Sequence, residues 1–417
     1  MSSNWSRERP IHVIATGPGK HLFSHLGDPR VQMLKATKQL RTPPQVLVMP
    51  LQGRTAFEDA RTQVHSDTWK RVAEGQATLV FDMSGEGEPH TAERTAALHG
   101  FVDGLGISPT RCAYVTQDRN YGRDYAAHLN DPAAPAMRVL NYDYYIKRFF
   151  QQYETTGDEA FEGRLADFHA RPGVRERRFV CLNRAARSNK LFVLLALLRD
   201  GLWERGFISF SGFDKATNQY AKTAKFMRDE MLATPGFEDL ARELAAFMEP
   251  LAAKGQVVLG RREDQSLEDF LLTVTLGEHN LPERQRSWFT VVNETEITGP
   301  HRITEKPFKS LIDFHPTIVI GSAGALPLIR ELGFRTFDGY FDESYDAEPD
   351  ARARFDAVYA QVRRLCELDE AALARMEGEV AETLTFNAEW GLKRLPAVYR
   401  DTLDVRFVDS AMAGVEA

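Results

Sequence analysis

Short apolar runs alternate with polar, amphipathic segments along most of this chain, and the alternation predicts an α/β fold with mainly parallel sheets. Strands are predicted in the first part of the chain over residues 11–15, 46–49, 77–81, 111–116 and 137–140. A second set is predicted over residues 179–182, 208–210, 288–292 and 317–320, with a strand from Phe334 and a short edge at Val257 and Val258. From residue 350 to residue 399 the pattern is mostly helical. We therefore expect two Rossmann-like domains facing a cleft, followed by C-terminal helices.

The length of 417 residues exceeds that of one ordinary domain, so two large domains are expected. A polar stretch containing the chain breakers Pro172 and Gly173 precedes the strand at Phe179 and suggests the boundary. The predicted organisation is an N-terminal Rossmann-like domain over 1–150, a linker over 151–178, a C-terminal Rossmann-like domain over 179–349 and a helical segment over 350–417.

Composition places the chain among ordinary globular proteins, with 43% hydrophobic and 27% charged residues. A formal net charge of -7 argues against broad binding to nucleic acid. Cys112, Cys181 and Cys366 match no metal-ligand spacing and no disulfide framework, so no metal is expected. The apolar run Leu191–Leu198 is far too short to span a bilayer, and the first residues lack the apolar core of a signal peptide. A cytoplasmic protein is the resulting expectation.

The block from Trp288 to Gly324 combines a strand, a polar loop, a helix start and a second strand. Thr304 is predicted as the N-cap of the helix, with Glu305 in its first turn and a proline just inside. A helix N-terminus favours phosphate. Lys306 could supply charge to a diphosphate and Glu305 could accept two sugar hydroxyls, which together suit a nucleotide sugar. The alternative is a βαβ unit whose glutamate and lysine are simply solvated.

The predicted strand at Phe179 leads into a basic loop, NRAARS, followed by an apolar helix. A basic loop between a strand and a helix N-terminus is an arrangement that binds phosphate. Arg184 and Arg187 are the candidates to hold a diphosphate, because a guanidinium can grip it bidentately. In the alternative interpretation these arginines only solvate the loop.

The strand at residues 77–81 ends in an acidic, glycine-broken loop, DMSGEGEPH. Ligands of open α/β sheets collect at the carboxyl ends of the strands. Glu86 is the candidate general base that would remove a proton from an acceptor hydroxyl, with Asp82 and His99 as alternates. An exposed turn acid without a role in catalysis is the competing interpretation.

These motifs resemble the GT-B-type glycosyltransferases, in particular the fucosyltransferase-like group that uses GDP-fucose. That group has a polar turn after a strand, then a Thr-Glu-Lys helix start, an apolar continuation, and a proline before a strand ending in glycine. The matching residues here are Asn293, Glu294, Thr295, Glu296, Thr304, Glu305, Lys306, Phe308, Leu311, Pro316, Ile318, Val319 and Gly321. The block is also similar to uncharacterised phage and alphaproteobacterial proteins that share an Asp-Glu-Ser-Tyr-Asp segment, here Asp342–Asp346.

The resemblance implies an acceptor-side first domain carrying Glu86 and a donor-binding second domain carrying Arg184, Arg187, Glu296, Thr304, Glu305 and Lys306. It implies transfer of a sugar from a GDP-sugar to a glycan or other hydroxyl acceptor, with inversion and without a metal or a resident cofactor. Here Arg302 and Ile303 precede Thr304 where the family has a tyrosine pattern, and Asn-Glu-Thr-Glu replaces Glu-Asn-Ser. These departures leave the identity of the sugar open.

Two other functions remain open from the sequence. A two-domain module could bind a nucleotide or glycan without chemistry, and it would need the phosphate-binding residues but not Glu86. A phage-type enzyme could glycosylate nucleic acid, using Lys147 and Arg148 as a local basic groove. The acidic net charge disfavours this last function.

Overall fold

The computed structural model describes residues 9–16, 22–34, 42–51, 57–183, 187–214, 222–259 and 281–415. These residues divide into two compact units. The first comprises the described parts of 1–151, 300–302 and 396–417, and the second those of 152–299 and 303–395. Segment 151–178, predicted as a linker, includes the helix Gly157–His169.

The first unit is built on a six-stranded sheet in which all pairs are parallel. Its strands are β1 (Ile11–Ala15), β2 (Val31–Met33), β3 (Val46–Pro50), β4 (Thr78–Met83), β5 (Cys112–Thr116) and β6 (Arg138–Asn141), in the spatial order β2-β1-β3-β4-β5-β6. Every residue of β3, β4 and β5 is buried, as expected for a parallel sheet covered on both faces. Its helices are Phe57–Gln63, Ser66–Ala73, Ala92–Asp103, Tyr121–Leu129, Tyr144–Gln151 and Asp404–Met412.

The second unit holds a four-stranded parallel sheet. The strands are β7 (Phe179–Cys181), β8 (Gly206–Ile208), β9 (Phe289–Asn293) and β10 (Thr317–Ile320), in the order β10-β9-β7-β8. Helices Gly157–His169, Ser188–Arg199, Ala224–Leu232, Glu238–Leu244, Met248–Ala253, Pro282–Gln285, Lys306–Leu311 and Ala325–Glu331 belong to this unit. The α/β prediction with parallel sheets is confirmed.

The C-terminal helical region is also confirmed. It consists of Ala351–Glu367, Glu370–Glu379, Ala381–Glu389, Leu395–Val398 and Asp404–Met412, with wider π-helical turns at Trp390–Arg394 and Tyr399–Leu403. Within the first unit, the buried Asp404 accepts hydrogen bonds from Lys147 Nζ at 2.7 Å and from the Tyr142 hydroxyl. This fixes the last helix to the rest of that unit.

Two strand predictions need correction, and one strand was not predicted. Residues 334–338 form no strand, because the backbone N–H groups of Arg335 and Phe337 donate to the side chains of Asn387 and Glu343. Strand β8 ends at Ile208, and Phe210 instead forms an isolated antiparallel bridge with Val257. Strand β2, over Val31–Met33, was not predicted, because only three largely exposed residues form this edge.

Candidate functional site in the second unit

The carboxyl ends of β7 and β9 lie side by side, because the two strands are parallel neighbours. Asn183 follows β7, and its side-chain oxygen accepts a hydrogen bond at 3.3 Å from Asn293, the last residue of β9. Asn189, in the helix that follows β7, donates to the carbonyl of Glu294 at 2.7 Å. The polar loops after both strands are therefore joined at the edge where α/β sheets bind ligands.

Glu294 is the centre of this polar group. The residue is 3% exposed. Its carboxylate accepts from the Thr304 hydroxyl at 2.7 Å, from the Thr304 N–H at 3.1 Å, from the Thr295 N–H at 3.2 Å and from Lys306 Nζ at 3.3 Å. Burial alone would raise the pKa of Glu294, but the charge of Lys306 and the hydrogen bonds from Thr304 hold that pKa below its ordinary value. Glu294 is therefore a buried, ionised carboxylate.

Lys306 completes the group. Its Nζ donates to the hydroxyls of Thr295 and Thr304, each at 2.9 Å, in addition to Glu294. The side chain is 27% exposed, so the ammonium lies within reach of a ligand. Three preorganised acceptors fix this charge, and a fixed charge stabilises a ligand anion more than a mobile one does.

The helix after β9 begins one residue later than predicted. It runs over six residues, Lys306–Leu311, and its N-cap is Glu305, which makes no side-chain capping bond. The Thr304 hydroxyl donates to Glu294 and also accepts a hydrogen bond from the Lys306 N–H at 3.4 Å, although the helix itself begins only after Glu305. So short a helix has a small dipole, and the lysine side chain carries most of the positive charge here.

Glu305 is directed toward its own helix. Its carboxylate lies 3.7 Å from Lys309 Nζ, one turn later, and the two side chains are 13% and 11% exposed. Glu296 instead pairs with Arg187 at 3.5 Å, and both of these side chains are partly exposed. Arg184 lies outside the described residues.

Lys190 is a residue that the sequence reasoning missed. It is the third residue of the helix Ser188–Arg199, in a run that is buried from Asn189 to Leu197, and it is 4% exposed. Burial, reinforced by the nearby charges of Lys306 and Arg187, lowers its pKa from 10.5 to about 7, although Glu294 opposes the shift. Within the described part of the chain its Nζ has neither a hydrogen bond nor an ion pair. A lysine just before LFVLLALL, where the helix must bury both faces, was the signal available in the sequence.

The helix after β10 is closed to an anion. The N–H groups of Ala325 and Leu326 donate to the Asp346 carboxylate at 3.0 and 3.1 Å. Asp346, the last residue of the acidic segment Asp342–Asp346, therefore caps this helix and occupies the N-terminus where a phosphate could otherwise bind.

The predicted base, Glu86, lies in the first unit, in the loop after β4. Its side chain is 49% exposed, and its carboxylate lies 3.9 Å from the guanidinium of Arg302. Arg302 is itself held by a 3.0 Å hydrogen bond to Gln117, which follows β5. At Gly87, a Cβ atom would come within 2.2 Å of the Arg302 side chain, so any larger residue there would force Arg302 to shift.

The two alternates to Glu86 are occupied elsewhere in the first unit. Buried Asp82 accepts from the N–H groups of Leu22 and Ser84, at 2.7 and 2.9 Å. His99 pairs with the Tyr125 hydroxyl at 2.8 Å. Lys147 is fully buried on Asp404, so the basic groove proposed from Lys147 and Arg148 lacks its lysine.

Neither a metal site nor a membrane span is found in the described ranges. No group of three or more His, Cys, Asp or Glu residues there could hold a metal ion. No helix among them is long and apolar enough to cross a membrane. All three cysteines are buried and free.

Comparisons with protein-family models, with curated proteins and with solved structures found no match for this chain. The resemblance to the fucosyltransferase-like group therefore stays a prediction. What the site can do has to be inferred from its own geometry.

Proposed function

We propose that this protein is a glycosyltransferase that moves a sugar from a nucleoside-diphosphate donor, with a GDP-sugar favoured, to an acceptor hydroxyl. The observation that supports this most is the gathering of Lys306, Lys190 and Arg187 at the carboxyl ends of β7 and β9. Three basic side chains at the ligand-binding edge of a parallel sheet suit a diphosphate. Two units that each hold a parallel sheet are the minimum that a GT-B enzyme requires, and membership in that fold is part of the proposal.

The proposed reaction is a direct displacement. The acceptor oxygen attacks the anomeric carbon, the bond from that carbon to the diphosphate oxygen breaks, and the nucleoside diphosphate leaves with the electron pair. Lys306 and its neighbours would stabilise the charge that develops on the leaving group. Glu86 would accept the proton of the acceptor hydroxyl. Glu296 and Glu305 would have to exchange their partners Arg187 and Lys309 for donor hydroxyls.

The first test is calorimetric titration of GDP, GDP-fucose and other nucleotide sugars into the wild type and into Lys306→Met. We expect the wild type to bind at least one of these ligands, and Lys306→Met to bind it roughly a hundredfold more weakly, because one preorganised charge is lost. A matched control is Lys254→Met, whose lysine pairs with Glu204 just before β8, at the amino end of that strand. A wild type that binds no member of the panel would overturn the proposal.

A non-catalytic nucleotide-binding module would use the same basic side chains. The variant Glu86→Gln distinguishes it from a transferase. For a transferase, Glu86→Gln keeps donor affinity but loses most of the turnover, measured as release of the nucleoside diphosphate. For a binding module, wild type and Glu86→Gln would bind the donor equally and neither would turn it over.

A further inference from the structure

The cations of the second unit's site differ in whether they have a carboxylate partner. Lys306 lies 3.3 Å from Glu294 and Arg187 lies 3.5 Å from Glu296. Lys190 has no such partner within the described ranges, although it is the most deeply buried of the three. Lys190 is therefore the basic side chain of this site that no carboxylate pairs with directly.

Keeping Lys190 charged in the free protein would be costly, because burial removes water from its ammonium and the attraction of Glu294 only partly offsets that loss. A lysine that served only to fill space could be replaced by an uncharged residue of the same length without this cost. Its position in the first turn of the helix Ser188–Arg199 adds a further unfavourable term, since the positive end of the helix dipole lies there. An anionic ligand would remove all of these costs together.

We infer that Lys190 binds the diphosphate of the ligand directly and takes up a proton from solvent as the ligand binds. The identity of the ligand as a nucleotide sugar rests on the proposed function. That the ligand is an anion is inferred from the site alone. The neutral amine of the free protein gains one proton, the resulting ammonium pairs with a phosphate oxygen, and no other bond changes.

The charged groups around Lys190 set the direction of the pH dependence. Lys306, on the helix after β9, and Arg187, at the start of its own helix, oppose its protonation, whereas Glu294 after β9 and Cys181 on β7 favour it. In the free protein the pKa of Lys190 is about 7. A bound diphosphate raises that pKa, so affinity is greatest below about pH 7 and falls by up to roughly tenfold per pH unit above it.

The other helix N-termini at this edge do not compete for the anion. Asp346 already occupies the one after β10, and the helix after β9 has only six residues. Lys190 and Lys306 are thus the two lysines that the described residues place around Glu294.

Calorimetry of GDP-fucose binding at about pH 8, in two buffers of different ionisation enthalpy, tests the inference. The diphosphate of a nucleotide sugar carries no group that titrates near neutral pH, so any proton uptake belongs to the protein. We expect the wild type and Lys254→Met to take up close to one proton, and Lys190→Met to take up nearly none and to bind at least tenfold more weakly. Proton uptake by the wild type is measured without the variant, and its loss in a folded Lys190→Met assigns it to Lys190.

Binding without proton uptake, together with unchanged affinity in Lys190→Met, would overturn the inference and leave the proposed function intact. Should no nucleotide bind, inorganic pyrophosphate replaces GDP-fucose as the probe. Pyrophosphate binding that weakens at least tenfold in Lys190→Met would then support the inference although the proposed function had failed. Equal binding by both proteins, or none by the wild type, would end it.

Discussion

Each unit carries polar residues at the carboxyl ends of its own parallel strands, but the two sets of residues differ in burial and in hydrogen bonding. In the second unit, Glu294 is buried and receives four hydrogen bonds from Thr295, Thr304 and Lys306. In the first unit, Glu86 is half exposed and has a single cation, Arg302, at 3.9 Å. Under the proposed function, the buried group would fix charge for the donor in advance, whereas the exposed carboxylate would exchange a proton with the acceptor.

The largest expected effect concerns stability. Glu294→Gln removes the counter-charge of Lys306 and leaves it unpaired beside Lys190, so the free energy of unfolding should fall by about 3 to 5 kcal/mol. Glu86→Gln in the first unit should change it by less than about 0.5 kcal/mol, because that side chain is exposed. Urea unfolding of the two variants measures both values. Equal losses would remove the contrast between the two sites.

Glu86→Gln should instead reduce turnover, by about a hundredfold, because a neutral amide cannot accept the acceptor's proton. Steady-state release of the nucleoside diphosphate measures this change, and the calorimetric affinity for the donor serves as the control. A fall in affinity with unchanged turnover would place Glu86 outside proton transfer.

Lys190→Met should stabilise the free protein by about 2 kcal/mol near pH 6. The pKa of Lys190 is lowered in the folded state, so its cost is fully present below about pH 7 and is relieved as pH rises from 7 toward 10.5. The gain in melting temperature should therefore shrink at about pH 9. A variant that is less stable than the wild type at both pH values would mean that the lysine is a structural element of the fold.

Asp346→Ala is expected to have the smallest effect of these substitutions. It uncaps the helix Ala325–Glu331 and should cost about 1 kcal/mol of stability. Donor affinity should stay within about twofold of the wild type, because this N-terminus lies outside the proposed anion site. Thermal unfolding and calorimetry measure the two effects, and a large change in affinity would extend the donor site to the loop after β10.

The periodicity of the sequence predicted most of the strands, because a parallel strand buried on both faces needs a nearly continuous apolar run. It failed at residues 334–338, where buried phenylalanines imitate a strand. There the backbone N–H groups are satisfied by the side chains of Asn387, which is 52 positions from Arg335, and of Glu343, which is six positions from Phe337. Local pattern cannot foresee such partners.

The sequence by itself determined the α/β class, the mainly parallel sheets and the C-terminal helices, because each follows from apolar patterns in residues close together in the chain. Only the tertiary structure placed Lys190 beside Lys306 and Glu294, more than one hundred positions further on. It also showed that Glu294 is buried whereas Glu86 is exposed. Burial and charge pairing depend on which elements pack together, and these two quantities decide whether a carboxylate or an ammonium binds a ligand, exchanges a proton or only stabilises the fold.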